Sequence, residues 1–166
     1  MKTTSCKIFL HQLLLLSCTL LVTPAPAADV AGGKSLLQKY AGSYDTDALL
    51  SEPVVRNSLE RLLGSEMKHL TRNLNVHGPV DLVSGSLSLS GNAAHGGGSE
   101  EAVLCVSTYN STVSAAIFSR STIAVFSEHP DYNSQDLCIK DWITLVNSGH
   151  RDRLEAPANV RIVKIK

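Results

Sequence analysis

Residues 102–126 read AVLCVSTYNSTVSAAIFSRSTIAVF and decide the fold class. The segment contains three apolar runs, at 102–106, 113–118 and 122–126. Asn110-Ser111 and the short stretch 119–121 separate them. Apolar runs of this length between turn residues are typical of strands joined as hairpins. The segment therefore predicts three neighbouring antiparallel strands.

Upstream of this segment the pattern changes from helical to strand-like. A helix is predicted from Pro53, with Ser51 as its cap, and Gly64 ends it. A second helix is predicted to begin at Ser65 and to end before Gly78-Pro79. Over 83–90 apolar residues then alternate with serines, which predicts a further strand with one solvated face.

Downstream, a last helix is predicted over 134–148, with Cys138, Trp142 and Leu145 on one apolar stripe. The stretch 160–165 is interpreted as either an edge strand or a disordered end. Helices, hairpin-linked strands and a final helix predict an α+β fold. We expect an antiparallel sheet of four to five strands, with N-terminal helices and a C-terminal helix packed on it.

The N-terminal residues indicate export. Positive charge, an apolar run and the A-x-A site at 25–27 predict a signal peptide over 1–27. A second interpretation makes Cys18 a lipidated cysteine. We expect a flexible linker at 28–40, one domain at 41–148 and a basic tail or edge strand at 149–166. No later apolar run reaches the ~18 residues of a membrane span, so a periplasmic or secreted protein is predicted.

Composition narrows the class of partner. Lys2 and Lys7 belong to the predicted signal peptide, and without them 13 basic residues remain against 15 acidic ones. This balance argues against nucleic acid as a partner. No histidine lies in a catalytic motif and no metal-type spacing occurs, so we predict no enzyme, no cofactor and no metal. A protein partner is expected, and a homo-oligomer stays open.

Two cysteines, Cys105 and Cys138, lie beyond the predicted signal peptide. In an oxidising compartment they form either a disulfide or two separate buried thiols, and their spacing does not decide between these. A disulfide would stabilise the fold by roughly 3–4 kcal/mol on the chain-entropy estimate.

Residues 90–101 read SGNAAHGGGSEE and lie between two predicted strands. A single histidine, His95, stands among small residues that offer it nothing apolar to pack against. We therefore expect His95 to project into solvent from a hairpin tip. The glycines after it lead into a strand, with no lysine nearby, which excludes a phosphate-binding loop.

The stretch 47–142 resembles the family of periplasmic inhibitors of vertebrate (C-type) lysozyme. The features that carry the resemblance are PVDLVSG at 79–85, a histidine loop before EEA at 100–102, IAVFSE at 123–128, and Trp142. In that family the loop reads Cys-x-Pro-His-x-Cys, its cysteines form a disulfide, and its histidine contacts the catalytic carboxylates of lysozyme. Here His95 matches, whereas Asn92 and Gly97 replace the cysteines and Ala94 replaces the proline. The chain thus resembles a divergent member that lacks the loop cysteines.

The resemblance implies a binding protein whose loop blocks the lysozyme cleft. The predicted partner-binding residues are His95, Asn92, Ala94, Gly96, Gly97, Ser99 and Glu100. Ordering the glycines on docking would oppose binding by about 1–2 kcal/mol per residue. Two alternatives stand: an interaction or structural protein of the same fold that does not bind lysozyme, and a small hydrolase using His95 with Glu100 or a serine.

Overall fold

The computed structural model describes residues 36–147 and 157–164. These residues belong to one compact unit, Gly32–Lys166. The predicted signal peptide and the alternative lipidated Cys18 lie outside the described residues. None of the described helices is long and apolar enough to cross a bilayer.

The described chain opens with helices. A 3₁₀ helix at Leu36–Tyr40 buries Leu37 and Tyr40, so the last residues of the predicted linker are part of the folded unit. The helical elements that follow are α1 Thr46–Ser51, α2 Pro53–Leu63, a 3₁₀ turn Gly64–Glu66, and α3 Met67–Asn73.

The stop at Gly64 is confirmed, because this residue caps α2 at a φ of +51° that favours glycine. The predicted caps are wrong. Ser51 is the last residue of α1 and Glu52 is the N-cap of α2, while Ser65 lies inside the 3₁₀ turn. The apolar stripe of α2 is buried, as its helical spacing predicts; its members are Val55, Leu59, Leu62 and Leu63.

The predicted α+β class is confirmed, with a larger sheet than expected. Among the described residues the sheet has seven strands: β1 Val76–His77, β2 Asp81–Val83, β3 Ser86–Asn92, β4 Glu100–Ser107, β5 Val113–Ser119, β6 Thr122–Phe126 and β7 Val160–Val163. Their order is β1-β3-β4-β5-β6-β7, and β2 also pairs with β3. All pairs are antiparallel except β6 and β7, which makes the sheet mixed.

The single strand predicted over 83–90 is instead a hairpin. Ser84 and Gly85 both have positive φ, 50° and 82°, and they turn the chain from β2 into β3. Two consecutive residues with positive φ are typical of the type I′ turn that suits the twist of a hairpin. The turn was missed because Ser84 fits the alternation of serines with apolar residues over 83–90, which is also the pattern of a continuous strand.

The sheet is covered on both faces. The helices α1–α3 pack on one face, where the buried strand residues include Leu87, Leu89 and Leu104. The other face carries Val103, Cys105 and Val125, which pack against helix α4, Leu137–Val146. Neighbouring residues of β4 therefore serve opposite cores, as the side-chain alternation of a strand requires.

A disulfide joins Cys105 of β4 to Cys138 of α4, with a Cα–Cα distance of 6.1 Å. This decides between the two alternatives for the cysteine pair. The predicted stripe of α4 is confirmed for Cys138 and Trp142, but Leu145 is 77% exposed and Ile139 and Ile143 are buried instead. The helix is rotated so that the positions one residue beyond Cys138 and Trp142 also face the core.

Candidate partner-binding loop

The loop 93–99 joins β3 to β4 at one end of the sheet. Ala94 and His95 are both exposed. His95 has a φ of +61°, in the left-handed region where histidine occurs more often than most residues. Within the part of the chain that the structure describes, its ring makes no hydrogen bond or ion pair. The imidazole is thus presented to solvent at a hairpin tip.

Backbone hydrogen bonds close the loop on itself. The amide of Ala93 donates to the Glu100 carbonyl at 2.9 Å, and the amide of Gly96 donates to the Ala93 carbonyl at 2.8 Å. The Gly96 carbonyl in turn accepts from the amides of Ser99 and Glu100, at 3.0 and 2.8 Å, and from Oγ of Ser99 at 3.1 Å. Bonds on both sides of His95 fix the path of the backbone that carries it.

Gly96 stands in the crowded part of the loop. A Cβ added there would lie 3.0 Å from Cβ of Ala93 and 3.1 Å from Cβ of Glu100. This close approach explains the absence of a side chain at position 96. The loop therefore packs against its own stem.

Asn92 and Gly97 lie opposite each other across the base of the loop. A Cβ built on Gly97 would be 3.9 Å from both Cγ and Nδ2 of Asn92. The side chain of Asn92 donates from Nδ2 to the Ala93 carbonyl at 2.8 Å. A polar side chain thus contacts the loop where the family resemblance places a disulfide.

Two adjacent carboxylates flank the C-terminal stem. Glu101 accepts a hydrogen bond from the amide of Gly98 through Oε1, at 2.6 Å. Glu100 accepts from Nη2 of Arg72 at 2.7 Å and from Oγ of Ser119 at 2.7 Å. Both carboxylates are engaged within the molecule. The predicted contact of Glu100 with a partner stays a prediction, and its observed contacts are internal.

The surroundings of Glu100 favour its ionised form. The hydrogen bond from Ser119 is the largest effect, and together with Asn73 and Arg72 it lowers the pKa of Glu100 from its ordinary value of 4.5 against the opposing effect of burial. Glu100 is therefore a charged anchor between the loop stem and α3.

Asn73, the last residue of α3, is fully buried and reinforces this anchor. Its Nδ2 lies 3.2 Å from the carbonyl oxygen of Glu101, 3.4 Å from that of Phe118 and 3.4 Å from Oε2 of Glu100. These supporting residues were not predicted. Asn73 gave one signal in the sequence, namely a polar residue three positions after Leu70 on the apolar face of a helix. Arg72 and Ser119 gave none.

An open groove of about 670 Å³ runs beside the loop. One wall is α3 and the residues that follow it, and the other wall is the start of the loop; the lining residues are Met67, Lys68, Thr71, Arg72, Asn75, Ala93 and Ala94. The loop is therefore bordered by a concave surface.

Two other histidines have hydrogen-bond partners within the molecule. Nε2 of His77 lies 3.2 Å from Oγ1 of Thr46, and Nδ1 lies 2.8 Å from the Gly78 carbonyl. Nδ1 of His69 lies 2.8 Å from Oε2 of Glu66. Within residues 36–147 and 157–164, no group of three His, Cys, Asp or Glu side chains is placed to hold a metal ion.

The contacts of His95 in the described residues weaken the hydrolase alternative. A catalytic histidine needs a carboxylate or a hydroxyl within hydrogen-bond reach. His95 has neither among the described residues, and both oxygens of Glu100 are bonded to other groups. The arrangement is that of an exposed surface loop on an α+β scaffold whose sheet is covered on both faces.

Comparison with known protein families identifies the class of protein. A family model described as "Inhibitor of vertebrate lysozyme (Ivy)" matches residues 54–147, which is more than half of the chain. The chain belongs to this family of lysozyme inhibitors. No curated protein and no solved structure matches it significantly.

Proposed function

We propose that the mature chain is an exported inhibitor of C-type lysozyme that inserts the loop 93–99 into the substrate cleft. His95 is the central contact, Asn92, Gly96 and Gly97 shape the loop, and Ala94, Ser99 and Glu100 form its rim. The observation that supports this most is the exposed imidazole at a hairpin tip, in a chain of the lysozyme-inhibitor family.

The chemistry of the imidazole suits such a cleft. Retaining glycosidases hold two carboxyl groups about 5–5.5 Å apart, one a general acid and the other ionised. A neutral histidine ring has one nitrogen that donates to a carboxylate and one that accepts from a carboxylic acid. When the ring is protonated, both nitrogens donate. A ring placed between the two groups would occupy the position of the scissile sugar bond and exclude substrate.

The order of the loop supports tight docking. Glycines at 96–98 would oppose binding if they were free before docking. Here the carbonyls of Ala93 and Gly96, the side chain of Asn92 and the carboxylate of Glu101 hold the loop by hydrogen bonds. In the Cys-x-Pro-His-x-Cys loop of the family, a disulfide and a proline order the loop before binding. In this chain the hydrogen bonds have that role, and they lower the entropy lost on binding.

The test is inhibition of a C-type lysozyme by the mature protein and by His95→Ala. His69→Ala is the matched control, since His69 is an exposed histidine on α3 outside the loop. We expect inhibition by the wild type and the control, and a loss of at least about tenfold for His95→Ala, as for a central contact of an interface. Equal potency of all three proteins, or no inhibition by the wild type, would contradict the proposal.

A second candidate is an interaction protein of the same fold that does not bind lysozyme. It is favoured by the replacement of both loop cysteines and the proline, at Asn92, Gly97 and Ala94. Capture of a different envelope protein through the His95 loop, with no measurable lysozyme binding, would select this candidate.

A further inference from the structure

A second cavity, of about 570 Å³, lies between α3 and the strands β5–β7. Its floor is apolar and consists of Ile117, Ala124, Phe126 and Val163. The strand register explains this floor. Ile117 pairs with Ala124 across β5 and β6, and Phe126 pairs with Val163 across β6 and β7, so these four side chains share the face on which α3 lies. Arg161 pairs with Ala124 and lies on the same face. The volume falls in the range of about 300–1,000 Å³ that is typical of small-molecule sites.

The rim of this cavity is charged, and its carboxylates are already paired. Glu66 contacts His69 at 2.8 Å, and Glu100 contacts Arg72 at 2.7 Å. The other two arginines of the rim are exposed: Arg120 lies in the turn between β5 and β6, and Arg161 lies in β7. Over the described stretches of the chain neither guanidinium has a hydrogen-bond or ion-pair partner. The cavity thus has an apolar floor, and its rim carries three arginines against two glutamates, which leaves an excess of positive charge.

We infer that this cavity binds a small organic carboxylate, with the carboxylate against Arg120 and Arg161 and an apolar body on the floor of Ile117, Ala124 and Phe126. A guanidinium matches a carboxylate in charge and in fork geometry. The apolar floor disfavours an ion that is polar on all sides, because it offers such an ion no hydrogen-bond partner. Ionised Glu100 at the same rim repels a phosphate dianion more strongly than a carboxylate monoanion.

Octanoate is a suitable probe, titrated into the ¹⁵N-labelled mature chain while amide shifts are recorded. Octan-1-ol tests the apolar body alone, and inorganic phosphate tests the anion alone. We expect saturable shifts at Ala124, Phe126 and Arg161 with octanoate, and binding weaker by about tenfold or more with the other two probes, the size of one lost charge-assisted interaction. Binding of octan-1-ol or phosphate as tight as that of octanoate, or no saturable shift with octanoate, would overturn the inference.

Two variants test the arginines separately. Arg120→Asn keeps a residue that tolerates the φ of +50° at this turn, and Arg161→Gln removes the charge while keeping an unbranched polar side chain at an exposed strand position. Each is expected to weaken octanoate binding about tenfold. Arg56→Gln, on α2 and paired with Glu60, is the control and should leave binding unchanged. Unchanged affinity in both arginine variants would overturn the inference. The outcome is independent of lysozyme inhibition.

Discussion

Nη2 of Arg72 lies 2.7 Å from Oε2 of Glu100, and this ion pair joins the end of α3 to the first residue of β4. Glu100 also donates its amide to the Gly96 carbonyl, one residue beyond His95. Helix α3, which packs on one face of the sheet, is thereby connected to the base of the loop 93–99. The position of the loop depends on contacts from three separate parts of the chain, namely α3, β4 and the end of β5.

Replacing Glu100 with glutamine should destabilise the fold by about 1–2 kcal/mol. The change removes the charge that strengthens the bonds from Arg72 and Ser119, and charge-assisted hydrogen bonds contribute more than neutral ones. Glu100 is a partly buried residue, with 28% of its side chain exposed. Urea unfolding at neutral pH measures the effect. Glu60→Gln is the matched control, since Glu60 pairs with Arg56 on the exposed face of α2 and should lose less than about 0.5 kcal/mol.

The difference in stability between the wild type and Glu100→Gln should depend on pH. The folded state lowers the pKa of Glu100 from 4.5, so the ionised carboxylate adds stability above that value. As the pH falls below about 4.5 and passes through the lowered folded-state pKa, that stability is lost and the two proteins converge. Urea unfolding at successive pH values measures this. If the difference in unfolding free energy between the two proteins grew on acidification, the ionised form of Glu100 would not be the form that stabilises the fold.

Helices α2, α3 and α4 and the three central strands were predictable because each gave a signal within a few residues, whereas the 3₁₀ helix Leu36–Tyr40 and α1 were not predicted. Apolar runs between turn residues specify β4, β5 and β6, and Pro53 and Gly64 bound α2. The short strands β1 and β2 were missed, since two or three residues carry no detectable alternation. Leu145 was misplaced because helical spacing alone left the rotation of α4 undecided.

The loop could be located from the sequence, but its support could not. His95 stands out as a large polar residue among small ones, so exposure was predictable. The contacts of Glu100 with Arg72 and Ser119 join residues 28 and 19 positions apart. Only the packing of α3 across the ends of β4 and β5 brings them together, and no local pattern encodes that packing.

A cysteine pair at positions 92 and 97 should strengthen lysozyme binding. A Cβ on residue 97 is 3.9 Å from Cγ of Asn92, which is where the sulfur of a cysteine at position 92 would lie, so a small shift allows a bond. Closing the loop covalently lowers the entropy lost on docking and should improve the Kd about tenfold. Titration calorimetry of Asn92→Cys/Gly97→Cys against lysozyme measures this, with Asn92→Ser/Gly97→Ser as the control. If the oxidised pair binds no better than the serine pair, loop order does not limit affinity.

Removing the disulfide should affect stability rather than binding. Cys105 and Cys138 enclose 33 residues, for which the chain-entropy model gives roughly 3–4 kcal/mol. The bond links β4 to α4 on the face opposite α3, within the second core. Cys105→Ser/Cys138→Ser should therefore unfold at lower urea, while the fraction that remains folded inhibits lysozyme as the wild type does. A loss of inhibition in fully folded protein would contradict this separation.

Competition for the lysozyme cleft tests the central claim most directly. The Kd of the mature chain for C-type lysozyme should be measured by calorimetry with the cleft empty and with the cleft saturated by a chitin oligosaccharide. Insertion of the His95 loop predicts that the sugar raises the apparent Kd by a factor of one plus the ratio of the sugar concentration to the sugar's own Kd. An unchanged Kd in the presence of saturating sugar would show that the loop does not occupy the cleft.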